Sequence, residues 1–125
     1  MIESSRFEER GFTRYVCTGV VTLEDLMAAI NGFYGSDPTP NSLWDVSAAD
    51  VTQIPTGGMR QLAEFAKVRA AVRAGGRTAI VAGDPVGFGL ARMYEAFAEV
   101  TGHEIQVRVF QDRGDAERWL AEEPG

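Results

Sequence analysis

Residues 41–66 read NSLWDVSAADVTQIPTGGMRQLAEFA, and the fold follows from how this stretch is parsed. Residues 42–46, centred on Trp44, form a short apolar run that predicts a buried strand, and a polar turn carrying Asp45, Ser47 and Asp50 is expected after it. Pro55-Thr56-Gly57-Gly58 then opens a long helix, with the Thr56 hydroxyl as its expected N-cap. A strand whose carboxyl end feeds a helix N-terminus gathers backbone N–H groups, a hydroxyl and a carboxylate around one point. Asp45, Thr56, Gly57 and Gly58 are therefore the first candidate binding residues. For the two glycines an anion-binding reading and a close-packing reading both stay open.

Working outward towards the amino terminus, residues 4–9 and 12–19 read as two strands of an antiparallel hairpin turning at Arg10-Gly11. Thr22 and Asp25 have the spacing of a capping box, and Leu23, Leu26, Met27, Ile30 and Tyr34 follow at helical intervals. Towards the carboxyl terminus, the helix over residues 56–74 should turn Met59, Leu62, Ala63, Ala66 and Ala70 inwards and Arg60, Glu64, Lys67 and Arg73 outwards. Residues 78–82 (TAIVA) predict a strand covered on both faces, followed by a helix to about Val100, a last strand over 104–110, and a helix capped by Asp112. The order ββαβαβαβα predicts a single α/β domain over residues 1–125, with a mixed, mostly parallel sheet and helices on both faces.

Composition narrows the function. The 125 residues are 45% hydrophobic and carry a formal charge of −6, a balance that argues against nucleic acid or an anionic membrane as partner. One cysteine, Cys17, excludes a disulfide framework and a cysteine metal cluster. The charged start MIESSRFEERGF does not read as a signal peptide, and no apolar run reaches the ~20 residues of a membrane span. The expected location is the cytoplasm, and no cofactor motif is found.

The remaining candidates are weaker motifs. Asp45 at a strand end resembles the phosphoacceptor of a response-regulator receiver, but the partner acids and lysine are missing, and a turn role or an ion pair with Arg92 is the simpler expectation. Gly87-Phe88-Gly89 follows a strand and opens a helix as a dinucleotide loop does, yet the third glycine position holds Arg92 and no acid stands at the ribose position. Gly87, Phe88, Arg92 and Tyr94 are kept as candidates for an acidic headgroup, Arg92 as donor and Tyr94 as rim. His103 is expected to ease a helix dipole, and Cys17 to be a buried hydrophobe.

The element order, the LWDV strand, the PTGGM helix start, the GFGLARMYEAF helix and the closing AERWL resemble the SpoIIAA-like family, whose fold is that of STAS domains and is related to CRAL-TRIO lipid-binding domains. The resemblance covers nearly the whole chain. It implies a non-catalytic module that binds a protein partner or a small ligand. In STAS anti-sigma antagonists an Asp-Ser-Ser/Thr-Gly turn before the second helix carries the phosphorylated hydroxyl. Here Pro55 replaces the aspartate, Gly57 stands at the usual phosphoacceptor place, and the hydroxyl is one residue earlier at Thr56. Three functions follow for consideration. One is a regulatory module, alone or as a homodimer, that presents the Thr56 helix to a protein. Another is a carrier or sensor of a small apolar or acidic, lipid-like ligand held between the helices from Thr22 and Val86, with Phe33, Tyr34, Phe88, Met93 and Tyr94 as lining. The third is a phosphate-ester enzyme using Asp45 and Arg92.

Overall fold

A computed structural model describes residues 1–122. The strands are β1 (Ile2–Phe7), β2 (Phe12–Val20), β3 (Asn41–Asp50), β4 (Arg77–Val81) and β5 (Gln106–Phe110), and the helices are α1 (Leu23–Gly35), α2 (Gly58–Ala70), α3 (Pro85–Val100) and α4 (Arg113–Ala121). The five strands lie side by side in chain order, β1 antiparallel to β2 and every later pair parallel. The expected fold is borne out.

This strand order decides where the helices go. Parallel strands are joined by right-handed crossovers as a strong rule, and here each new strand is added on the same side of the last. Successive crossover helices must then fall on one face. Accordingly α1, α2 and α3 pack over the core built on Tyr15, Cys17, Trp44, Val46, Ile80 and Ala82. Only α4, which follows the last strand, folds back onto the other face, where Ala116, Trp119 and Leu120 cover Phe12, Leu43, Ala79 and Val81. Leu43, Trp44 and Asp45 pair in register with Ala79, Ile80 and Val81, so both tripeptides are interior to the sheet as expected.

Local capping follows the sequence in two helices. Thr22 and Asp25 form the capping box of α1, and the Asp112 carboxylate accepts from Asp115 N at the start of α4. These side chains occupy backbone donors that a helix start leaves open.

Three expectations are corrected. Asp45, Ser47 and Asp50 do not form a turn: β3 continues to Asp50 because the end of β2 runs on beside it, Thr18 with Ala48 and Val20 with Asp50. Between Val16 and Thr18 the register slips by one residue, a bulge on β3 that bends the strand without ending it. Thr56 is not the N-cap of α2; Gly57 is, at φ 87°, and no side chain caps this helix. Arg73 does not face outwards. It is 6% exposed: seven residues beyond Ala66, it lies on the same stripe as the buried Met59, Leu62, Ala66 and Ala70, and the last turn, Ala71–Arg73, tightens to 3₁₀.

Candidate functional site

Two places carry the candidate chemistry, at opposite ends of the sheet. The first is the rim at the strand carboxyl ends. Gly58 N donates to Pro55 O at 2.8 Å and closes a turn over Pro55-Thr56-Gly57-Gly58. With Gly57 at φ 87° and ψ −6°, the third position has the geometry of a type II turn, which glycine adopts without a Cβ penalty. Thr56 sits exposed at the tip. Gly58 is buried for a different reason: a Cβ there would lie 2.7 Å from Ile54 Cγ2. Across the same rim Asp84 caps α3 by accepting from Gly87 N at 3.2 Å, and a Cβ on Gly87 would meet Asp84 Oδ1 at 2.7 Å. Thr56 and Gly87 thus share one end of the molecule, each following a parallel strand. Phe88 is half-buried at the edge of the larger core.

Asp45 and Arg92 do not join this rim, and they do not pair. Asp45 points to the α4 face, where its carboxylate accepts from Ser47 N at 3.0 Å and Ser47 Oγ at 2.5 Å, and lies 3.5 Å from Arg113 Nη1. Arg92 is exposed and bridges to Glu95 at 3.1 Å on its own helix. Alternation along β3 explains the split: Trp44 and Val46 face α1–α3, so Asp45 between them faces away. A phosphate site using Asp45 and Arg92 together has no geometric basis.

The second place lies under the helices. A cavity of about 90 Å³, counted as the space that the centre of a water molecule can occupy, runs between the sheet and α1–α3. One water needs only ~10–15 Å³ of such space, so several would fit. Its walls are mostly carbon, from residues such as Leu26, Ile30, Met59, Leu62, Ile80 and Val107. Phe33, Tyr34 and Tyr94 line it, so Tyr94 is buried under the helices and forms no rim with the exposed Arg92; Met93 is 41% exposed, and neither Met93 nor Phe88 reaches the cavity. The expected space between α1 and α3 is not found, because α2 packs between these two helices.

One end of the cavity, at the strand amino ends, is polar. Arg73 Nε donates to Pro40 O at 3.1 Å, Nη1 to Tyr34 OH at 3.0 Å, and Nη2 to Arg77 O at 3.0 Å and Thr78 Oγ1 at 3.2 Å. Its guanidinium also stands over the Phe33 ring, 4.9 Å from the centroid. Burial pushes the Tyr94 phenol well above its usual range, with Tyr34 adding to the rise and Arg73 opposing it. His103, expected to act on a helix dipole, instead donates from Nε2 to Ala63 O at 2.8 Å and lines the cavity. Cys17 is fully buried, as expected. The sequence signals for this end were the hydroxyls of Ser42 and Thr78 opening apolar strands and an arginine one turn beyond Ala70, just before Gly75-Gly76.

No family model matches the chain, and no curated protein matches it. Solved structures do. An anti-sigma factor antagonist from Mycobacterium paratuberculosis superposes with a TM-score of 0.67 at 15% identity, over 98% of this chain and 94% of that one. An uncharacterized DUF3478-family protein from Shewanella loihica PV-4 gives 0.61 at 17% identity, over 96% and 92%, and is described as having a SpoIIAA-like fold. The fold is SpoIIAA-like. The anti-sigma factor antagonist SpoIIAA itself, in its unphosphorylated form, gives 0.52 at 12% identity over 95% of this chain and 97% of that chain. At identities this low the shared property is the SpoIIAA-like fold, with its mixed sheet and closing helix. Among the described residues no helix is long and apolar enough to cross a membrane.

Proposed function

We propose that this chain is a non-catalytic regulatory module that binds a protein partner through the rim formed by the Pro55–Gly58 turn and the first turns of α2 and α3. The observation that carries this reading is the exposed Thr56 turn at the head of α2, in a fold shared over nearly its whole length with proteins described as anti-sigma factor antagonists. The surface around it is suited to recognition. Thr52, Gln53, Arg60 and Gln61 offer exposed polar groups near the turn, while Val20 and Val86, at 48% and 49% exposure, offer apolar ones at the same end of the sheet. Interfaces of this kind combine apolar and polar contacts.

The test is co-purification from the host with the wild type and with Thr56→Glu/Arg60→Glu and Val86→Glu variants of unchanged melting temperature. A protein that binds the wild type as a defined complex and is lost from both variants supports the rim. A partner retained by all three proteins places the interface elsewhere, and the absence of any defined complex overturns the reading.

A further inference from the structure

Arg73 is a buried cation with no anion beside it among the described residues. It is 6% exposed, and among the described residues no carboxylate lies within ion-pair distance of it; its acceptors are two backbone carbonyls and the hydroxyls of Tyr34, Thr78 and, at 3.4 Å, Ser42. Buried charges are ordinarily paired, because neutral acceptors recover only part of the hydration that is lost. A guanidinium has five N–H groups, and Nη1, with two of them, makes only the bond to Tyr34. Arg73 therefore keeps both its net charge and a donor.

The same side chain forms the polar end of the carbon-lined cavity. From Ser42 past Trp44 to Val46 the lining follows β3 over five residues, four steps that span roughly 13 Å at the usual strand rise. A carbon-lined cavity with an unneutralised arginine among its walls is complementary to a molecule with a carboxylate at one end and a hydrocarbon chain behind it. We propose that this cavity binds a monocarboxylic acid of the fatty-acid class, its carboxylate on Arg73 and Tyr34 and its chain running past Trp44 towards Met59 and Ile54. With Nε and Nη2 engaged elsewhere, the carboxylate accepts from Nη1, and the exchange of a neutral phenol for an anion strengthens that bond. The Tyr34 hydroxyl, relieved as acceptor, is free to donate to the same anion. Free acids fit and bulky phosphodiester headgroups do not, since the cation sits within the protein. Only the Arg73 end of this site lies at the opposite end of the sheet from the Thr56 turn, but the inference rests on the cavity and on Arg73, not on the partner-binding reading.

Calorimetric titration of the full chain at pH 7.5 with octanoate and, separately, with octan-1-ol tests it. The two probes share a chain length and differ in charge. Saturable one-to-one binding of octanoate, at least tenfold tighter than octanol, is expected, with a change in Trp44 emission in a Trp119→Phe background. Arg73→Met should bring the two affinities together. Ala66→Phe, which places a ring in the cavity wall, should abolish both. No saturable octanoate binding, or octanol bound as tightly as octanoate by the wild type, overturns the proposal. That wild-type comparison decides the matter even if Arg73→Met, which also releases Pro40 and Arg77, does not fold. Failure here would leave the co-purification experiment on the rim unaffected.

Discussion

Trp44 lies flat on Tyr15, ring centroids 4.0 Å apart and planes within 5° of parallel, across the β2–β3 pair. The indole Nε1 also donates to Ser42 Oγ at 3.1 Å. This stack forms the sheet side of the larger core. Trp44→Leu should cost about 3 kcal/mol in urea unfolding and Tyr15→Leu about 2 kcal/mol. A double-mutant cycle should return a coupling of about 1 kcal/mol. Strictly additive losses would mean that the two rings do not support each other.

At the head of α2 the backbone, not the hydroxyl, carries the stability. Thr56→Ala should change unfolding free energy by less than about 0.5 kcal/mol, whereas loss of a true N-cap costs ~1 kcal/mol. Gly57→Ala should cost about 1–2 kcal/mol because its φ of 87° is left-handed. Gly58→Ala should cost about 1–3 kcal/mol through the Ile54 contact. Thermal melts of the three variants give the ranking, and a large loss at Thr56 would restore it as the cap.

Asp45 acts within its own strand. Asp45→Ala removes the acceptor of Ser47 N and Oγ at the bulge and should cost about 1–2 kcal/mol. Arg113→Ala removes only a half-exposed ion pair and should cost under about 1 kcal/mol. Chemical denaturation of both variants measures the difference. Equal losses would show that the ion pair, and not the bulge, is what Asp45 serves.

Alkaline pH should expose Cys17. Burial, with the Asp45 carboxylate adding and the amino terminus opposing, pushes its thiol from 9.0 up to about 11. The native state then holds a proton that the unfolded chain gives up, so unfolding releases protons and stability falls as pH rises from 9 towards 11. The full loss is roughly 2–3 kcal/mol. Tyr94, raised chiefly by burial, adds in the same direction above its ordinary value of 10.0. Unfolding free energies measured from pH 8 to 11 should slope downwards for the wild type and less steeply for Cys17→Ala. At neutral pH the native thiol should resist alkylation until the chain unfolds.

The readable parts of this chain were those set by near neighbours. The capping box of Thr22 and Asp25, the Asp112 cap, the apolar run at Ala79-Ile80-Val81 and the order of elements all depend on residues within a turn or a strand length of each other. The candidate site divided along the same line. Thr56, Gly57, Gly58 and Gly87 stand at a common rim because parallel strands deliver their carboxyl ends to one side. Asp45 and Arg92 left the group because side-chain direction depends on register and packing.

The amino-acid sequence alone determined the periodicities, the caps and the alternation of strand and helix, since these arise from local sterics and hydrogen bonding. Only the tertiary structure decided that β3 runs on to Asp50, because its partner β2 supplies the pairing there. The charge of Arg73 was visible in the sequence, but its isolation beside an apolar cavity exists only where residues from α1, α2, β3 and β4 meet.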